Sequence, residues 1–163
     1  MEFSQPDNFA LRGILSLLLS LPAGALAEAL AMAEEEGLTA LPPEKRHCTL
    51  LHQSTQGLKA LSKAHNKSLK RGGESPVFWG QAPRELLRSP MVVVAIVEDL
   101  HPSTGELRRT VRCELNSEDQ QSLKVWVEQF CSLNNLKRDD VECRRVFHIS
   151  IANLTGLAGD SVR

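Results

Sequence analysis

The chain contains no tyrosine, only 4% aromatic residues, and no appreciable surplus of either charge. Without tyrosine, an aromatic clamp built from Tyr is excluded, and any such ring must be replaced or missing. A net charge of −1 argues against bulk electrostatic adhesion to long duplex DNA or to a membrane, although a local basic patch remains compatible with it. Cys48, Cys113, Cys131 and Cys143 form no Cys-x-x-Cys pair and show no metal-finger spacing. Reduced thiols and a cytoplasmic location are the simplest expectation. Long apolar runs are also missing. The uncharged stretch from Gly13 to Ala27 is too short to span a bilayer. Its Ala25-Leu26-Ala27 imitates a signal-peptidase site, but Glu2 and Asp7 precede it and Arg12 is the one base there. A pair of buried helices broken near Pro22-Ala23-Gly24 is expected instead. A length of 163 residues and a mean hydropathy of −0.20 suit one ordinary soluble domain with a real core.

What is present is a repeated short pattern. His47-Cys48-Thr49-Leu50-Leu51 and His148-Ile149-Ser150-Ile151-Ala152 each place a histidine, a spacer and a hydroxyl residue ahead of apolar residues. In a strand, residues two apart share a face, so each histidine projects with its hydroxyl companion while the intervening residues turn to a core. The bare spelling is not specific, since His52-Gln53-Ser54 and His101-Pro102-Ser103 share it. Context separates them. His101 opens a Pro-Ser-Thr-Gly turn, and His52 sits where an apolar run ends.

The order of elements reads as helices, strand, helix, strands, helix, strand. A first helix is capped by Ser4 or Asp7 and reaches Ser20, and a second runs from Ala23 to Glu36, stopped by Gly37. The first motif strand covers Arg46 to His52, and Gly57 to Arg71 is helical. Val77 to Gln81 is a short strand, and the β-branched run Met91 to Glu98 has the composition of a buried strand. A turn leads to a partner strand from Leu107 to Leu115. A helix opening at Ser117 buries Leu123, Trp126, Val127, Phe130 and Leu133. The second motif strand, Arg145 to Ala152, precedes a tail from Asn153 to Arg163. The pattern implies an α+β fold, one domain over residues 1–163, with helices packed on a largely antiparallel sheet.

The two His-x-Thr/Ser motifs on strands resemble the signature of the 2H phosphoesterases. That family includes RNA 2′,3′-cyclic phosphodiesterases, 2′-5′ oligonucleotide-cleaving enzymes and phage enzymes that destroy cyclic oligonucleotide messengers. The tail, Ile151 to Gly156 followed by Asp160-Ser161-Val162, looks most like the phage RNA-repair-like or anti-CBASS branch, which implies a host-cytoplasmic location. The resemblance implies two pseudo-symmetric lobes around a central groove. It also implies catalysis by His47, Thr49, His148 and Ser150, with no cofactor and no metal. Two features differ from the family: residues 1–20 read as helical where members usually begin with a strand, and the 101 residues from His47 to His148 are a long spacing.

The chemistry follows from the side chains. An imidazole titrates near neutrality, so one of the pair can accept a proton from an attacking hydroxyl while the other gives one to the leaving oxygen. Thr49 and Ser150 can donate hydrogen bonds to nonbridging phosphate oxygens. Lys59, Lys63, Lys67 and Arg71 recur every four residues, as a substrate-attracting stripe or as a solvated helix face. Trp79 is the candidate base-stacking ring or a plug in the core, and Arg46 and Arg144 lie beside the motifs within reach of phosphate. The leading expectation is a metal-independent phosphodiesterase cleaving 3′-5′ bonds of small cyclic oligonucleotides. Its rivals are an RNA 2′,3′-cyclic or 2′-5′ oligonucleotide phosphodiesterase, a non-catalytic nucleotide or RNA binder, and a scaffold assembling through its apolar N-terminus. The expected partner is a small nucleotide or short oligonucleotide. A membrane or long duplex DNA is not expected, and self-association is left open.

Overall fold

In the computed structural model, which describes residues 9–87 and 91–163, the chain forms an α+β fold of antiparallel strands and helices. It divides into two compact units, each gathered from separated stretches of chain. The first draws on residues 1–17, 49–88 and 117–145, and the second on 18–48, 89–116 and 146–163.

The first unit begins with a hairpin. Strands β1 (Phe9–Leu11) and β2 (Leu15–Leu17) pair antiparallel, so the first half of the expected N-terminal helix pair is corrected to strands. Gly13 turns the chain at a φ of +78°, a region closed to most side chains. Leu15 and Leu17 are buried on either side of half-buried Ser16, a period of two that a uniformly apolar run conceals. The proposed caps Ser4 and Asp7 lie outside the described residues.

The second unit opens with α1 (Ala23–Glu35), which ends where Gly37 takes a positive φ. A two-residue strand β3 (Thr39–Ala40) follows, and β4 (Cys48–Leu51) carries the first motif. Helix α2 (Leu58–Arg71) in the first unit stops at left-handed Gly72. Residues 77–81, expected as a strand, form none. Their main chain is held instead by the Asn134 side chain and the Trp126 indole, whose Nε1 donates to the Gln81 carbonyl at 2.6 Å.

Strands β5 (Val92–Leu100) and β6 (Leu107–Leu115) pair along their whole length. Burial of β5 is corrected too: it is an end strand of its sheet, no residue in it is buried, and Val93 is 59% exposed. β-Branched composition specifies a strand but not its place in the sheet. Helix α3 (Ser117–Leu133) buries Leu123, Trp126, Val127 and Phe130 as expected, whereas Leu133 is exposed at the last turn. A single turn α4 (Asp140–Cys143), capped by the Asp139 carboxylate on the Glu142 N–H, precedes β7 (His148–Asn153).

In the second unit β7 pairs antiparallel with β6, with β3 and, through Ile149, with Cys48 of β4. Helix α1 packs on β5, β6 and β7. Fully buried Asn153 ends β7 and ties down the tail, its amide donating to the Leu157 carbonyl at 2.7 Å and to Ser161 Oγ at 2.9 Å. All four cysteines are free thiols. Among the described residues no helix is long and apolar enough to cross a membrane.

Candidate active site

Both motifs show the alternation of a half-buried strand. Cys48, Leu50, Ile149 and Ile151 are buried, while His47, Thr49, His148 and Ser150 are all partly exposed. In β7 the buried side lies under α1. Cys113 stands across β6 from Ile149, and burial together with the Glu28 carboxylate of α1 pushes its thiol pKa up to about 11. His148 and Ser150 therefore project from the face turned away from α1. Cys48 pairs with Ile149, and His47 immediately precedes Cys48 at the start of β4.

The two imidazoles are held in the same way. His148 Nδ1 donates to the Val146 carbonyl at 2.8 Å, two residues upstream. His47 hydrogen-bonds the main chain of Lys45, also two residues upstream, in a contact that favours the protonated ring and so has the carbonyl as acceptor. The remaining histidines of the same spelling do the reverse. His52 Nδ1 accepts the Ser54 N–H at 3.3 Å, and His101 Nδ1 accepts that of Ser103 at 3.0 Å, both as turn caps. Burial, and secondarily the Lys45 ammonium, holds the His47 pKa below its ordinary 6.5, opposed by the carbonyl bond.

Two charged residues that sequence reasoning missed share this face. Arg112 of β6 stands across from Ser150, and Glu114 across from His148. Arg112 is only 8% exposed, and its Nε and Nη2 donate to Glu114 Oε2 at 2.9 and 2.7 Å. Their alternation with Val111 and Cys113 was a visible signal. The register joining them to the motif was not, because it is fixed by pairing between distant strands.

The other expected site residues are dispersed. Trp79 packs edge-on against His65 and tilted against Phe130, with ring centroids 5.5 and 5.9 Å away. The more exposed ring is its neighbour Phe78, whose main chain the Asn134 amide clamps at both N–H and carbonyl. Arg46 spends Nε and Nη2 on the Leu41 carbonyl. Arg144 bonds the Asp140 carbonyl beside α4, whereas adjacent Arg145 reaches the Thr49 carbonyl at 2.8 Å. Lys59 and Lys63 line a cavity with Arg12 in the first unit, and Lys67 and Arg71 of the same stripe are not in its wall. Among the described residues, no group of three or more His, Cys, Asp or Glu side chains is placed to hold a metal ion. No family model matches the chain, and neither the curated proteins nor the solved structures give a match.

Proposed function

We propose that this chain is a phosphodiesterase of the 2H type, cleaving 3′-5′ bonds of small cyclic oligonucleotides by acid–base catalysis from His47 and His148. The carrying observation is the matched placement of the two motif imidazoles, His148 opening β7 and His47 immediately ahead of β4, each with a main-chain contact two residues upstream. That bond orients the ring. The two pseudo-symmetric lobes of the family belong to the same reading, and the division of the chain into two compact units supports it.

Burial and Lys45 keep His47 neutral near pH 7, which suits it as the general base. It takes the proton of an attacking water as the oxygen bonds to phosphorus. His148, across the ladder from Glu114, gives a proton to the departing sugar oxygen. Thr49 and Ser150 donate their hydroxyls to the nonbridging oxygens as charge builds there. Arg112 supplies positive charge from its position opposite Ser150. Two imidazoles complete the proton inventory, so the reaction in this form needs neither metal nor cofactor.

A second reading, opening of 2′,3′-cyclic phosphates on RNA ends, gains from the β1–β2 hairpin, because a strand ahead of the first helix is what that branch usually has. Turnover of cyclic dinucleotides, 2′-5′ oligoadenylate and a 2′,3′-cyclic nucleotide, each with EDTA present, decides between the readings. His47→Ala and His148→Ala are each expected to lower kcat by about a hundred- to ten-thousandfold with an unchanged circular dichroism spectrum. Thr49→Ala and Ser150→Ala should each cost up to about a hundredfold. Full activity after either histidine change removes that residue from the mechanism, and binding without turnover of any substrate leaves only a nucleotide-binding module.

A further inference from the structure

A basic cavity in the first unit has no part in the proton chemistry above. It is an open cleft of about 750 Å³, and none of the four motif residues lines it. Its charged wall consists of Arg12, Lys59 and Lys63, and no acid is among its lining residues. None of the three cations is engaged in an ion pair with a described residue. The arrangement is built rather than incidental. Ser62, 4% exposed on α2, accepts the Gly13 N–H at 2.8 Å and donates to the Leu11 carbonyl at 3.3 Å. These two bonds grip the hairpin on either side of Arg12 and fix its backbone against the helix. Lys59 and Lys63, flanking Ser62 at three residues before and one after, stand on the same part of that helix.

Three like charges gathered without counter-charge among the cleft's lining residues repel one another, and the Lys59–Lys63 spacing of four is itself unfavourable on a helix. An anion would relieve that repulsion. The opening turn of α2 adds the partial positive charge of its free N–H groups. Gln53 and Asn66 bring uncharged amide donors and acceptors to the same wall. A multiply charged phosphate group satisfies three cations at once where a single carboxylate would not. The volume has room for a nucleoside as well as its phosphates.

We propose that this cavity is a binding site for a small polyphosphate anion, the phosphates held by Arg12, Lys59 and Lys63. The proposal stands apart from the phosphodiesterase reading, since it is decided by binding alone. The experiment is isothermal titration of the full chain at low salt with inorganic tripolyphosphate, ATP and adenosine. Tripolyphosphate and ATP should bind, more weakly as sodium chloride is raised, and adenosine should not. Tighter binding of ATP than of tripolyphosphate identifies a nucleotide as the natural source of the phosphates; equal binding identifies the polyphosphate chain alone. Lys59→Gln and Lys63→Gln, both on an exposed helix surface, should each weaken binding by about tenfold. Lys67→Gln, on the same helix but outside the cavity wall, should leave affinity unchanged. Absence of binding by both phosphates overturns the proposal. So does binding of adenosine with equal affinity, or equal loss in the Lys67 variant, which would reduce the effect to net charge.

Discussion

At the scale of the residue, the site consists of two imidazoles held by the same local device. A main-chain contact two residues upstream orients each ring, and in β7 the strand places Ser150 on the same side as His148. His47 and the buried His65, whose Nδ1 lies 2.6 Å from Ser75 Oγ, both have pKa values held below the ordinary 6.5 by burial. For both, the unfolded chain takes up protons more readily than the folded one. Their contribution to stability is thus complete above pH 6.5 and declines as pH falls through 6.5 toward their folded values. Urea midpoints are expected to drop between pH 7.5 and 5, and to drop less in a His47→Gln, His65→Gln double variant. An unchanged slope in that variant would assign the acid sensitivity to other groups. If His47 is the general base of the proposed phosphodiesterase, turnover should follow the same sense, rising with pH through the His47 pKa on a limb lying below 6.5. The motif residues were legible because their signal is local, two side chains one turn of the pleat apart. Arg112 and Glu114 were not, since only the β6–β7 register makes them neighbours of Ser150 and His148.

At the scale of the element, helices and strands with clear periodicity or a glycine stop were readable to within a residue or two. Helix α1 ends beside Gly37, α2 at Gly72 and α3 at the end of its apolar stripe. Elements made uniform by composition were not. The leucine-rich N-terminus conceals a hairpin, and the valine-rich β5 conceals an edge. That edge has a testable consequence. From Val92 to Val97 it carries no Lys, Pro or bulge, the devices that usually keep one edge strand from pairing with another. Val93→Lys, at a position 59% exposed, should suppress aggregation on heating while shifting Tm by no more than a few degrees. Aggregation that proceeds at the same rate in the variant would place its origin elsewhere in the chain.

At the scale of the whole molecule, the fold is discontinuous. The chain changes unit five times, after Leu17, Cys48, residue 88, Asn116 and Arg145. One change falls inside the first motif, so that His47 and Cys48 belong to one unit and Thr49 to the other. Neither unit is a stretch of sequence, so the pattern of elements along the chain could suggest α+β but not this partition. The apolar face of α3, with Phe130, Leu123, Trp126 and Val127 buried in it, completes a core begun by residues from the N-terminal half. Strands β6 and β7 likewise need α1 to cover Cys113 and Ile149. Cutting the chain at residue 88 separates each half-core from its complement and leaves its apolar surface in water, a loss of about 25 cal/mol for every Å² exposed. Fragments 1–88 and 89–163, expressed separately, should therefore show little cooperative thermal unfolding by circular dichroism, and mixing them should restore it. A sigmoidal melt from either fragment alone would mean that its half of the chain already contains a sufficient core, and that the interleaving is not what holds the fold together.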